Sequence, residues 1–235
     1  YVDCFAYLFG GCTTREDNVS PGPSNDLFKL DMSSDSAYYW TKIKPTERNS
    51  GQPCARWHHS ATVFDTCKIV VFGGFTASKD LPHLSDVWVL DTAKDVWLSQ
   101  NDLIADSSEG VSIDSRPFWK DKIVKVDHPC PRGSHSSVLI ESFIFVFGGY
   151  GGEGFARRDF NDLHVLCLKT WTWFEVDTCG KKPKPRSGHK SVYFDGKLYV
   201  MGGWNSVETF DDVHILDIET LSWSQPSDIS GPDGW

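Results

Sequence analysis

The hydrophobic positions of this chain come in short runs that end in glycine. Val70-Val71-Phe72 meets Gly73-Gly74, and the same arrangement recurs at Tyr7-Leu8-Phe9-Gly10-Gly11, Val146-Phe147-Gly148-Gly149 and Val200-Met201-Gly202-Gly203. A β-branched or aromatic run that meets a glycine pair predicts a strand ending at that pair. Four such strands inside a longer repeating pattern predict a protein built from copies of one small sheet. Around them the pattern predicts further strands at 26–31 and 40–43 in the first copy and at 60–64 and 85–91 in the second. Tight turns and short strands, rather than helices, also follow from twenty glycines and ten tryptophans.

Spacing separates a true repeat from coincidence. Arg56, Arg132 and Arg186 each precede a histidine, His59, His135 and His189, by three positions. Each histidine precedes its glycine pair by thirteen or fourteen. The residue closing the third strand, Asp91, Cys167 or Asp217, precedes Trp97, Trp173 or Trp223 by six. A proline-led Arg-x-x-His, a strand, Gly-Gly, a loop, then Asn-Asp-Leu as at Asn161-Asp162-Leu163 and a tryptophan: this pattern resembles the kelch repeat, over essentially the whole chain apart from one insertion.

The resemblance implies an all-β fold, a kelch-type β-propeller of four-stranded antiparallel blades. Four repeats are visible, at about 1–44, 53–128 with an insertion near 98–128, 129–179 and 183–227. The first lacks its innermost strand, and Ser230-Gly231-Pro232 leads toward a further repeat. Kelch propellers resemble rings of six or seven blades, and an open arc of four would expose sheet edges. The chain is therefore expected to be part of a larger propeller, with further kelch repeats or another domain in the parent protein.

Residues that recur in every copy are expected to do structural work. Trp40, Trp97, Trp173 and Trp223 are large enough to fill the wedge between blades. Gly73, Gly74, Gly148, Gly149, Gly202 and Gly203 suit a positive φ or a close approach. One histidine per copy points to one local job, hydrogen bonding to backbone, rather than to metal or base chemistry. Arg56, Arg132 and Arg186 are expected to pair with Asp86, Asp162 and Asp212 or with backbone carbonyls.

Function is expected where the copies differ. The loop after Gly-Gly opens with Cys12, Phe75, Tyr150 or Trp204, and the resemblance implies that these loops surround the mouth of a central channel. The first of them carries Arg15. The glycine-rich, flexible loop from Tyr150 ends in Arg157-Arg158, and adjacent arginines beside aromatics suit an acidic or phosphorylated peptide. The pair between Arg and His also varies, Trp57-His58, Gly133-Ser134 and Ser187-Gly188. Candidate partner contacts are thus Arg15, Trp57, His58, Phe75, Ser134, Tyr150, Arg157, Arg158 and Trp204. In the insertion, 101–115 is acidic, serine-rich and expected to be mobile, and 116–124 to be ordered. Trp97 and Trp119 both satisfy a repeat spacing, so the outer strand of the second blade is based on either or split between them, with Trp97 favoured.

Composition narrows the function classes. A formal net charge of −9 disfavours nucleic acid and acidic membranes as partners. No run of eighteen apolar residues exists to form a membrane-spanning helix. Seven cysteines, without a CxxC pair, read as reduced and mostly buried thiols in the cytoplasm or nucleus. No catalytic constellation, metal set or cofactor motif is present. The expected function is a non-catalytic protein–protein interaction module for a protein or peptide partner. The alternatives are a regulatory kelch domain of a larger enzyme, such as a protein phosphatase or a ubiquitin-ligase substrate receptor, and a metal-dependent propeller enzyme. Galactose oxidase (copper) and plant specifier proteins (iron) resemble this architecture. The iron pattern is Glu-x-x-x-Asp-x-x-x-His; Glu208 and Asp212 match it, but Leu216 stands in the histidine place.

Overall fold

A computed structural model describes residues 4–13, 21–33, 38–47, 51–106, 119 and 121–227. The chain divides into two compact units, Tyr1–Asp106 and Ser107–Trp235. The first holds copies one and two, the second copies three and four.

In the first unit, β1 (Phe5–Phe9) is followed by the two-residue strands β2 (Cys12–Thr13) and β3 (Gly22–Pro23), then β4 (Leu27–Asp31) and β5 (Tyr39–Ile43). These give a three-stranded antiparallel sheet in the order β1-β4-β5. Copy two comprises β7 (Ser60–Phe64), β8 (Lys68–Phe75), β9 (His83–Asp91) and β10 (Val96–Ser99), an antiparallel meander. The preceding linker adds β6 (Thr46–Glu47) in parallel on the outer edge of β10. Val70, Val71 and Phe72 are buried in succession, as a strand covered on both faces requires.

The run into Gly-Gly does not always end there. β8 continues to Phe75, and its pairing with β9 slips between Phe72 and Gly74, a β-bulge at the glycines. Both have positive φ, 64° and 105°, and a Cβ on Gly74 would lie 2.8 Å from the Trp57 carbonyl oxygen. The glycine pair therefore bends a strand as well as ending one.

Two expectations in this unit are corrected. Trp40 is 53% exposed and fills no wedge within its unit, whereas Trp97 is buried with Leu27, Ile69, Val71 and Leu90 and meets the Phe9 ring at 4.9 Å in a tilted contact. The acidic segment after Trp97 begins as a helix, α1 (Gln100–Asp106). Its start is fixed by a reciprocal cap: Asp102 Oδ2 accepts from the Ser99 N–H (2.8 Å), and Asp102 N–H donates to Ser99 Oγ (3.3 Å). Leu103 on the helix is buried. Residues 107–118 of the insertion lie outside the described residues.

In the second unit, β11 (Ile123–Val126), β12 (Arg132–Gly133), β13 (Ser136–Ile140), β14 (Phe143–Gly151), β15 (Arg158–Cys167) and β16 (Thr172–Val176) form one sheet. β13 to β16 are again an antiparallel meander, and β11 lies antiparallel on the outer edge of β16. The linker strand β17 (Cys179–Gly180) pairs in parallel with β21 (Ser222–Ser224), the outer strand of copy four, after β18 (Lys190–Phe194), β19 (Lys197–Met201) and β20 (Val213–Asp217). The insertion thus replaces the two-residue parallel strand seen on copies two and four with a four-residue antiparallel one.

Both tryptophans claimed by the spacing are used. Trp97 lies on β10 of copy two. Trp119 is buried in the second unit against Phe143 and Phe145 of copy three, and its Nε1–H donates to the Ile218 carbonyl of copy four at 3.0 Å. Trp119→Phe removes that bond and leaves a cavity where the rest of the buried indole was, so a loss of about 2–4 kcal/mol is expected from a denaturation midpoint.

Candidate functional site

Each complete copy contains the same buried clamp. Arg132 is fully buried. Its Nη1 donates to the Gly148 carbonyl (3.0 Å) and to Asp162 Oδ1 (2.6 Å), its Nη2 to Asp162 Oδ2 (2.8 Å), and its Nε to the Cys130 carbonyl (2.9 Å). Arg56 repeats this with Gly73, Asp86 and Cys54, and Arg186 with Gly202, Asp212 and Lys184. The guanidinium also lies 4.2 Å over Phe160 in copy three and over Phe210 in copy four. A planar fork with fixed donors suits this junction of first strand, glycine pair and third strand. Burial pushes the Asp162 and Asp212 carboxyls up, but hydrogen bonds and charge from Arg132 and Arg186 outweigh it and hold both below the usual range.

The repeated histidines serve the joint between neighbouring copies. His59 bonds the backbone of Phe9 and meets its ring edge-on at 5.4 Å; His189 treats Phe147 of copy three in the same way, also at 5.4 Å. His189 Nε2 also shares a hydrogen bond with Ser136 Oγ (2.9 Å). Burial, reinforced by the adjacent Arg56 or Arg186 charge, lowers both imidazoles to about 4, so they are neutral near pH 7. His135 is buried too.

The variable positions meet one another at the glycine-pair end of each sheet. The residue before each repeated histidine takes a left-handed backbone, at His58, Ser134 and Gly188 (φ 53°, 56° and 66°). It is matched in size to the residue opening the loop. His58 packs on Phe75 at 5.5 Å. Gly188 lies under the Trp204 ring, where any Cβ would fall 1.8 Å from a ring carbon. Trp57 is half-buried and bonded to the Phe75 backbone in both directions (3.1 and 2.8 Å). Tyr150 and Ser134 are half-buried, and Trp204, Arg157 and Arg158 are exposed. Arg15 lies outside the described residues.

The Tyr150 loop is more ordered than its glycines imply. Gly151 pairs with Arg132 and Arg158 on its two sides, Gly152 N–H donates to the Pro131 carbonyl (2.8 Å), and 154–156 form a 3-10 turn. Asp159 Oδ2 accepts from the Ser206 N–H and Oγ, both at 3.3 Å, joining this loop to that of copy four. Two exposed apolar residues on these loops, Phe155 and Val207, escape a reading based on repeat positions. A phenylalanine between Gly154 and Ala156, where no strand pattern buries it, was the available signal. The thiol expectation is also corrected: all seven are free, yet five are exposed, with Cys67 intermediate and only Cys167 buried.

The KLHDC2/KLHL20/DRC7 Kelch-repeats domain matches residues 106–233, and the Kelch motif matches residues 56–103. The chain belongs to the kelch-repeat family. Its sheets are kelch blades of an all-β propeller fold. It is similar to Acyl-CoA-binding domain-containing protein 4 of Arabidopsis thaliana, 27% identical over 257 residues, 92% of this chain and 37% of that protein. It is also similar to Host cell factor of Drosophila melanogaster, 30% identical over 226 residues (85% of this chain, 13% of that protein). Host cell factor 2 of Homo sapiens is 31% identical over 194 residues (77% and 21%). The chain spans little more than a third of the longest-covered of these relatives. Kelch repeats and likeness to host cell factors fit a protein-interaction module.

Proposed function

We propose that this chain is a non-catalytic interaction module that presents the loops after its glycine pairs to an acidic or phosphorylated segment of a partner protein. One contrast carries the reading. Arg56, Arg132 and Arg186 are buried and paired with carboxylates, whereas Arg157 and Arg158 are exposed and make no ion pair with a described residue. Two exposed guanidiniums without a carboxylate partner among the described residues, Arg158 lying 5.4 Å from the Phe160 ring centroid, favour an anionic ligand on an otherwise acidic chain, and the exposed Phe155, Trp204 and Val207 on the joined loops offer apolar anchors. Unpaired thiols suit a cytoplasmic or nuclear setting.

The test is binding to arrayed peptides rich in Asp, Glu or phosphoserine. Changing Arg157 and Arg158 together to Glu should weaken capture at least about tenfold, since each charged contact is worth about 1.5–3 kcal/mol. Unchanged capture by a folded variant would remove the pair from the site. A second reading keeps this surface but makes it the regulatory part of a larger enzyme; the greater length of the relatives supports it. Iron chemistry at Glu208 and Asp212 is disfavoured, because Lys184 pairs with the first at 2.7 Å and Arg186 and His214 hold the second.

A further inference from the structure

Copies three and four are built alike around their clamps, and one difference between them is a reversal of charge. The residue two before the clamp aspartate is Phe160 in one and Phe210 in the other, and the clamp guanidinium lies 4.2 Å from the centroid of each ring. Two residues earlier stand Arg158 and Glu208. Their places are equivalent: Arg158 pairs with Gly151, the residue after Tyr150, and the Glu208 carbonyl accepts from the N–H of Asn205, the residue after Trp204, at 2.9 Å. Two residues before the clamp arginine stand Cys130 and Lys184, whose carbonyls accept from that arginine's Nε at 2.9 and 3.2 Å.

In copy four these two positions close on each other. Lys184 Nζ lies 2.7 Å from Glu208 Oε1 and 5.9 Å from the Phe210 ring centroid. In copy three the cation stands on the loop instead, with the Arg158 guanidinium 5.4 Å from the Phe160 ring centroid. The lysine is replaced by Cys130, short and exposed. The place that a lysine side chain fills in copy four is therefore left to solvent, next to a guanidinium. Copy two lacks the arrangement, because Cys54 stands in the place of Cys130 but Pro82 in that of Arg158. Strand alternation also separates the two loop arginines. Arg157 is extended (φ −63°, ψ 129°) and Arg158 opens β15, so their side chains leave opposite faces of the chain. Arg158 shares its face with Phe160. Arg157 shares its own with Asp159, the carboxylate that accepts from Ser206. The two guanidiniums are thus not arranged to close on one phosphoryl group, and Arg158 alone borders the vacated place.

We infer, resting on the anionic partner proposed above, that a glutamate or aspartate side chain of that partner seats over Cys130 beside Arg158. Its carboxylate completes in copy three, with the polarity reversed, the ion pair that Lys184 and Glu208 make in copy four. Arg158 is the anion-binding residue, Cys130 leaves the room and adds no charge, and Arg157 contributes only its general field. One guanidinium with one vacated place suits a single carboxylate, held by charge-assisted hydrogen bonds.

Thiol protection and charge placement test this, with an oligoglutamate peptide and a phosphoserine peptide as probes. Saturating oligoglutamate should slow maleimide labelling of Cys130 at least about fivefold and leave that of Cys54 unchanged. Arg158→Glu alone, and Cys130→Glu, which supplies an internal carboxylate, should each weaken oligoglutamate capture about tenfold. Cys130→Gln and Arg157→Glu should change it less than about threefold. All four side chains are exposed or replaced at an exposed position, so urea midpoints should stay at the parent value. If the double Arg157 and Arg158 variant captures the peptide as well as the parent does, the anionic-partner reading itself fails. If the double variant loses capture but Cys130→Glu keeps it, or if oligoglutamate leaves Cys130 labelling unchanged, that reading stands and the seat over Cys130 is wrong. A phosphoserine peptide that protects Cys130 better than oligoglutamate overturns the carboxylate assignment.

Discussion

Replacing Asp162 by alanine is expected to destabilise the second unit by about 3–5 kcal/mol, the usual cost of stranding a buried charge. Arg132 is fully buried and receives both carboxylate oxygens, at 2.6 and 2.8 Å. Without them the guanidinium keeps two backbone carbonyls and the face of Phe160, which cannot neutralise it. Domains of this kind are stable by about 5–15 kcal/mol, so the loss should be plain in a urea midpoint. Asp162→Asn, which leaves one acceptor, should cost less. Adding Arg132→Met to Asp162→Ala should restore part of the loss, because the stranded charge is gone. If Asp162→Ala costs under 1 kcal/mol, the pair is not what holds the blade.

The clamp was legible in the sequence because every copy solves the same local problem with the same atoms. Arg56, Arg132 and Arg186 recur with their carboxylates at matched positions, and no other residue offers a forked donor that fits both a carboxylate and a carbonyl. What escaped lay where period gives no signal. The strands β6 and β17 pair only two residues each, too few for alternation to show. Trp97 and Trp119 fitted one spacing rule each, and only packing could show that both were used in different units. Cys54 and Cys130 looked like core thiols by residue type, but both are exposed and supply the clamp with a carbonyl, and Cys54 Sγ also accepts from Arg56 Nη2 at 3.4 Å. Trp40 follows Asp31 by nine positions rather than the six of the other copies, although it stands opposite Leu30 as Trp97 stands opposite Leu90, and sequence does not say what, if anything, covers it.

The loops show the opposite balance. Their divergence was visible, but the matching of His58 to Phe75 and of Gly188 to Trp204 depends on contacts across sequence gaps of about fifteen residues. The unequal pairs first fill space at the end of each blade. Arg157 and Phe155 fill no such space, and Arg158, though its guanidinium lies 5.4 Å from the Phe160 ring centroid, keeps an exposed side chain; these are left as the residues best placed to contact something else.

Stability should fall steeply between pH 7 and pH 5. His59, His164 and His189 are all lowered to about 4, chiefly by burial and secondarily by nearby charges, from Arg56 at His59 and Arg186 at His189; at His164 the Asp162 carboxylate partly opposes the shift. In the unfolded chain each returns to its ordinary value of about 6.5. The unfolded state therefore binds more protons as pH drops through that value, and folding weakens until the folded imidazoles also titrate near 4. Over the two units from pH 7 to 5 each histidine should remove roughly 2 kcal/mol. Asp162 and Asp212 do not confuse this window. Their folded values are lowered, so their contribution is present above the ordinary carboxylate range and is lost only at more acid pH. Urea midpoints should drop across this range while the folded imidazoles stay neutral, and His189→Gln should flatten the dependence by about one third while lowering stability at pH 7. A midpoint that stays level from pH 7 to 5 would mean that these rings are hydrated or already charged in the folded chain. The joint between blades would then rest on the aromatic and glycine contacts alone.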